Sequence, residues 1–114
     1  MNRINISSTI RALGVSANLY GYTYLIEAID LAIKDESLLH RRVTKELYPT
    51  IAKAHKTTCS RVERALRHAI QRSFDRGNTD LLDKIFGYTV SIHKGTPTSS
   101  EFIAAVADYL RERG

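Results

Sequence analysis

A chain of 114 residues is long enough for one domain with its own core and too short for two. Its single cysteine, Cys59, excludes an internal disulfide and points to a reducing compartment; no run approaches the roughly 20 apolar residues of a membrane span, and Met1 to Ser8 lack the apolar centre of a secretory signal, so a cytoplasmic location is expected. The net charge of +5 is unevenly placed: residues 40–76 hold ten Lys and Arg against three Asp and Glu, and each flank holds one acidic residue in excess, a segregation that steers polyanions to one surface.

Ile6, Ile10 and Leu13 fall four and three apart before Gly14, which predicts a first helix over 6–13 with a glycine cap. Val15 to Gly21 reads as a connector with Asn18 and Gly21 as turn formers. Tyr22 to Lys34 reads as a second helix whose buried stripe is Leu25, Ile29, Ala32 and Ile33, with Tyr22 and Ile26 at its edge, ended by Asp35-Glu36-Ser37. Tyr20, Tyr22 and Tyr24 suggest a base-stacking platform, but they lie outside the basic segment, so packing in or beside the core is preferred. A third helix is expected from near Arg42 to about His55, bent at Pro49, which is tolerated in a first turn.

The run Thr57 to Gly77 predicts a long amphipathic fourth helix. Val62, Ala65, Leu66, Ala69, Ile70 and Ser73 share one stripe at about 100° per residue, and Ser60, Arg64, Arg67, His68 and Gln71 point away from it. Its start is marked by Thr57-Thr58 and by the capping-box pattern Ser60-x-x-Glu63, its stop by Gly77 as a left-handed cap. Asn78 and Thr79 cap a fifth helix, Asp80 to Phe86, stopped by Gly87. Tyr88 to Ile92 alternates like a strand but has no partner strand and reads as an extended loop, followed by a turn-rich link from His93 to Pro97. Thr98-Ser99-Ser100-Glu101 is a capping box for a last helix over about 99–113, with Phe102, Ile103, Val106 and Leu110 on one side. The fold class is all-α, a compact single-domain bundle of about six helices.

Only Lys56-Thr57-Thr58 separates the third helix from the fourth. Two helices joined so closely, the second basic on its outer face, form the layout of a helix-turn-helix over about 42–76, with a recognition helix over about 59–76 that enters the major groove of DNA. Ala52 is small where the two helices cross, and Val62 holds the second one down. Lys56 stands where glycine is frequent, and His55 where an aliphatic side chain packs better. On the exposed face Arg64 and Arg67 suit guanine, whose O6 and N7 match the guanidinium fork, and Glu63 can accept from cytosine N4; these three are the expected base readers. Lys56, Thr57, Thr58, Ser60, Arg61 and His68 are placed for phosphate, beside the positive helix end, although simple capping also accounts for Thr58 and Ser60, and capping alone for Glu63.

Leu47-Tyr48-Pro49, Ile51-Ala52-Lys53, Ser60 to Ala65, Arg67 to Ile70, Arg76-Gly77-Asn78, Phe86 to Ser91 and Ser100 to Ala104 make the chain resemble, from about Ile6 to Arg111, the C-terminal DNA-binding domain of the sporulation transcription factor, stage 0 sporulation protein A. The resemblance implies a helical effector domain that binds a TGTCGAA-like box through residues of Ser60 to His68, activating some sporulation genes and repressing others. It implies that full-length regulators carry an N-terminal receiver domain, which is absent from these residues. It further implies contact between subunits on adjacent boxes through the last helix, where a plain core role is the alternative, and contact of Phe86 and Val90 with an RNA polymerase sigma subunit.

No Gly-rich phosphate loop, acid/base pair or nucleophile elbow occurs, so no enzymatic activity is expected. Cys59 and His55 are near in sequence, but no further ligand pattern supports a metal or cofactor, and none is expected; His40 and His93 read as surface or boundary residues. The competing reading is a helical protein-interaction module whose basic face binds an acidic partner; RNA binding is a third.

Overall fold

A computed structural model describes residues 3–39, 43–87 and 96–113. These form α1 (Arg3–Ala12), α2 (Tyr20–Lys34), α3 (Tyr48–Ala54), α4 (Cys59–Arg76), α5 (Thr79–Phe86) and α6 (Ser99–Arg113), with a 3₁₀ turn at Glu36–Leu39 and a π-helical turn at Val43–Leu47. No strand occurs among the described residues. The segment Tyr88 to Ile92, expected as extended loop, and the link up to Gly95 lie outside them.

The second helix is the axle of the bundle because it is apolar on more than one side. Leu25, Ala28, Ile29 and Ala32 are fully buried, and α2 packs against α1, α3, α4 and α6. It starts two residues earlier than the periodicity predicts, so Gly21 is not a turn former. It lies inside the helix, where a Cβ would sit 2.4 Å from the carbonyl oxygen of Ala65 and 2.6 Å from the Cβ of Ala69. Only a residue without a side chain lets α2 cross α4 this closely.

Two helices end the same way. After α1, the amide of Gly14 donates to Arg11 O (3.0 Å) and that of Val15 to Ile10 O (3.2 Å), with Gly14 at φ 94°. This is a Schellman closure, sealed by buried Ile10 and Val15. After α3, Lys56 donates to Lys53 O (3.3 Å) and Thr57 to Ala52 O (2.9 Å), and the left-handed position is held by Lys56 at φ 52°.

Gly77, expected to be left-handed, is extended at φ −73° and ψ 167°. Its lack of a side chain serves contact instead: a Cβ there would lie 2.4 Å from both Leu13 O and Ser73 O, where the end of α1 meets the end of α4.

The bend expected at Pro49 is realised as a change of helix type. Proline has no N–H for the carbonyl four residues back, and the chain passes from the π turn into α3 just before it. Asn78 caps α5 by accepting from the amides of Asp80 (2.9 Å) and Leu81 (3.2 Å). The capping box of α6 is reciprocal: Thr98 N donates to Glu101 Oε1 (2.9 Å), and Glu101 N donates to Thr98 Oγ1 (3.2 Å). Phe74, Phe86 and Phe102 then join α4, α5 and α6, with ring centroids 5.1 to 6.4 Å apart.

Candidate DNA-binding surface

The fourth helix is seated by its apolar stripe and leaves its charged side to solvent. Val62, Leu66, Ala69, Ile70 and Ser73 are buried, Ala65 half-buried, and Ser60, Arg61, Arg64, Arg67 and His68 exposed. The α3–α4 pair has the expected brace, since Ala52 and Val62 are both buried where the two helices pack. The Oγ of Ser73 is buried with no hydrogen-bond partner among the described residues. His55, which looked out of place, is satisfied: its Nε2 lies 2.8 Å from Glu27 Oε1 on α2, and its ring meets Tyr24 edge-on at 5.1 Å. That pair ties the turn of the helix-turn-helix to the axle of the bundle.

The cap of α4 is Thr58, whose Oγ1 accepts from the amide of Arg61 (3.2 Å). Ser60 is therefore already helical, and the Ser60–Glu63 capping box does not form. The Glu63 carboxylate turns along the helix to Arg67 instead, Nη2 to Oε1 3.3 Å, with side chains 47% and 75% exposed. A glutamate one turn before an arginine has the favourable order, yet an exposed pair contributes only a few tenths of a kcal/mol. It orients the arginine without locking it.

Two clefts flank α4, and between them they take the expected contact residues other than Thr58 and Ser60. Lys56, Thr57, Arg61, Arg64 and His68 line the larger, about 780 Å³, together with Asn18 and Tyr20 from the start of α2. Glu63 and Arg67 line the other, with Gln71, Tyr48 and the residues 96–100 that lead into α6. Arg64 and Arg67 thus border different clefts, although they stand only about 60° apart around the helix and about 4.5 Å apart along it. On the second side Thr96 Oγ1 donates to Gln71 Oε1 (2.9 Å), pinning the entry of α6 to α4. Burial pushes the Tyr48 phenol above its ordinary value of 10.0, partly offset by a hydrogen bond with Ser99.

The sequence favours packing for all three tyrosines near the start of α2, and Tyr20 departs from it. Of the three tyrosines, Tyr24 is in the core and Tyr22 half-buried, as packing predicts, but Tyr20 is 82% exposed beside the basic face. Phe86, expected to meet a sigma subunit, is 3% exposed and stacked on Phe102. Val90 lies outside the described residues.

Residues 6–110 match the family model described as Sporulation initiation factor Spo0A C terminal. The chain belongs to this family. It is a helical DNA-binding domain of a sporulation-initiation regulator, and its work is transcription regulation. Among the described residues no helix is long and apolar enough to cross a membrane, and no three His, Cys, Asp or Glu side chains cluster as metal ligands.

Proposed function

We propose that the domain recognises a TGTCGAA-like box in double-stranded DNA by laying α4 in the major groove, and so regulates sporulation-initiation genes, activating some and repressing others. The observation that carries this is the ridge itself: Arg64 and Arg67 stand exposed on a helix whose opposite stripe, Val62, Leu66, Ala69, Ile70 and Ser73, is buried and whose preceding helix braces it. Arg64 and Arg67 donate to guanine edges, while Glu63 accepts from cytosine and repels sequences that offer no donor there. Lys56, Thr57, Thr58, Ser60, Arg61 and His68 hold the phosphates and set the register.

Neighbouring domains on tandem boxes meet through α6, whose Ala104, Ala105 and Tyr109 are half-buried. A polymerase sigma subunit is a further partner on the strength of the family alone. Titration of labelled duplexes carrying the box or its scrambled form, at two salt concentrations, tests the central reading. Preference for the box with steep salt dependence supports it. Equal binding of both duplexes favours the protein-interaction module, and preference for single strands or an A-form helix favours RNA.

A further inference from the structure

We infer that the start of α2 is a second DNA-contacting element, with Tyr20 and Asn18 holding the sugar-phosphate strand that runs along the Arg61–Arg64–His68 side of α4. The inference rests on the proposal that α4 enters duplex DNA. Among the described residues Tyr20 is the large apolar side chain left most open, at 82% exposure, while its neighbours in sequence pack inward. It lines one cleft with Asn18 and with Lys56, Arg61, Arg64 and His68, the last four from segments some 40 residues away in the chain.

Charge decides what that cleft accepts. No aspartate or glutamate lines it, whereas the opposite cleft contains Glu63. An extended polyanion therefore meets donors on this side with no competing carboxylate. The phenol O–H of Tyr20 and the amide of Asn18 are donors of the kind that bind phosphate oxygens, and the tyrosine ring covers the adjoining sugar. Position is fixed as well: Gly21, the next residue, presses α2 onto the backbone of α4 at Ala65, so Tyr20 stays at a set distance from the arginine ridge. The first turn of α2 has no side-chain cap at Leu19, which leaves the positive end of that helix facing the same strand.

The test uses Tyr20→Ala and Tyr20→Phe, with wild type as reference, titrated against box and scrambled duplexes over a range of salt. A lost hydrogen bond to a charged oxygen predicts that Tyr20→Ala weakens both duplexes alike, by about 3- to 10-fold, with the ratio between them unchanged. Because tyrosine is neutral, the salt slope stays as in wild type. Hydroxyl-radical footprints of the variant lose protection at one edge of the site, on one strand. Tyr20→Phe retains the footprint edge and loses part of the affinity, which separates ring from hydroxyl. Wild-type affinity within about twofold and an unchanged footprint for Tyr20→Ala overturn this inference alone. Failure of the wild-type domain to bind duplex DNA overturns the parent reading with it. Circular dichroism verifies folding, which an 82% exposed residue does not govern.

Discussion

Lys56→Gly separates what the turn does for the fold from what it does for DNA. Lys56 holds the left-handed position of the closure after α3, at φ 52°, where an L-residue is disfavoured by roughly 1–2 kcal/mol. Glycine removes that strain but has more backbone freedom to lose on folding, an opposing term of about 0.5–1 kcal/mol. The net expectation is a gain of about 0.5–1 kcal/mol, or a rise in Tm of about 4 °C in thermal unfolding followed by circular dichroism. The same substitution deletes an ammonium group beside the start of α4. If it neutralises one phosphate, the slope of log affinity against log salt becomes shallower by about 0.9. Lys56→Ala is the control, since it removes the charge and keeps the strained backbone: its DNA binding should fall as far, and its stability should stay within about 0.5 kcal/mol of wild type. A Lys56→Gly protein no more stable than Lys56→Ala would refute the account of the turn. An unchanged salt slope in both variants would remove Lys56 from the phosphate contacts.

Arg64→Ala and Arg67→Ala should each reduce the preference for the box over a scrambled duplex by about 1–3 kcal/mol in a competition assay, and retention of full preference by both would end their assignment as base readers. Glu63→Gln should tighten binding to the scrambled duplex more than to the box, measured in the same competition; equal tightening would make the carboxylate a plain repulsive charge. Ser73→Ala should raise stability by about 1 kcal/mol in urea unfolding, because the hydroxyl is buried without a partner among the described residues, whereas a loss of stability would mean that it is satisfied in solution. Tyr48 has its pKa raised in the folded state, so its contribution is complete below pH 10.0 and is lost as pH rises through the higher folded value. Stability should therefore fall above pH 10.0 less steeply in Tyr48→Phe than in wild type, as followed by unfolding at stepped alkaline pH.

Signals that act within one helical turn were legible in the sequence. The fourth helix was expected over about 59–76 and spans Cys59–Arg76; the last was expected over about 99–113 and spans Ser99–Arg113. Asn78 and the Thr98–Glu101 box cap as their residue types predict, since the groups that satisfy each other are two or three residues apart. The apolar period of α4 likewise identified which side is seated and which is free.

Choices made between distant segments were not legible. Whether Glu63 accepts from the backbone N–H of Ser60 or from an arginine depends on where the chain enters α4, and Thr58 took the capping place. Gly77 looked like a left-handed cap and proved to be a contact point with α1, while the left-handed residue of the turn is a lysine. His55 looked ill-suited until Glu27 and Tyr24 arrived from α2. Tyr20, expected to pack in or beside the core, is left in solvent, and Phe86 is sealed against Phe102.

From the sequence alone came the helices, the caps at Asn78 and Thr98 and the basic face, because periodicity and capping are properties of neighbouring residues. Tertiary structure decided which side chains share each cleft beside α4, because α2 reaches that surface only by crossing α4 at Gly21, and such an approach depends on backbone atoms more than 40 residues away.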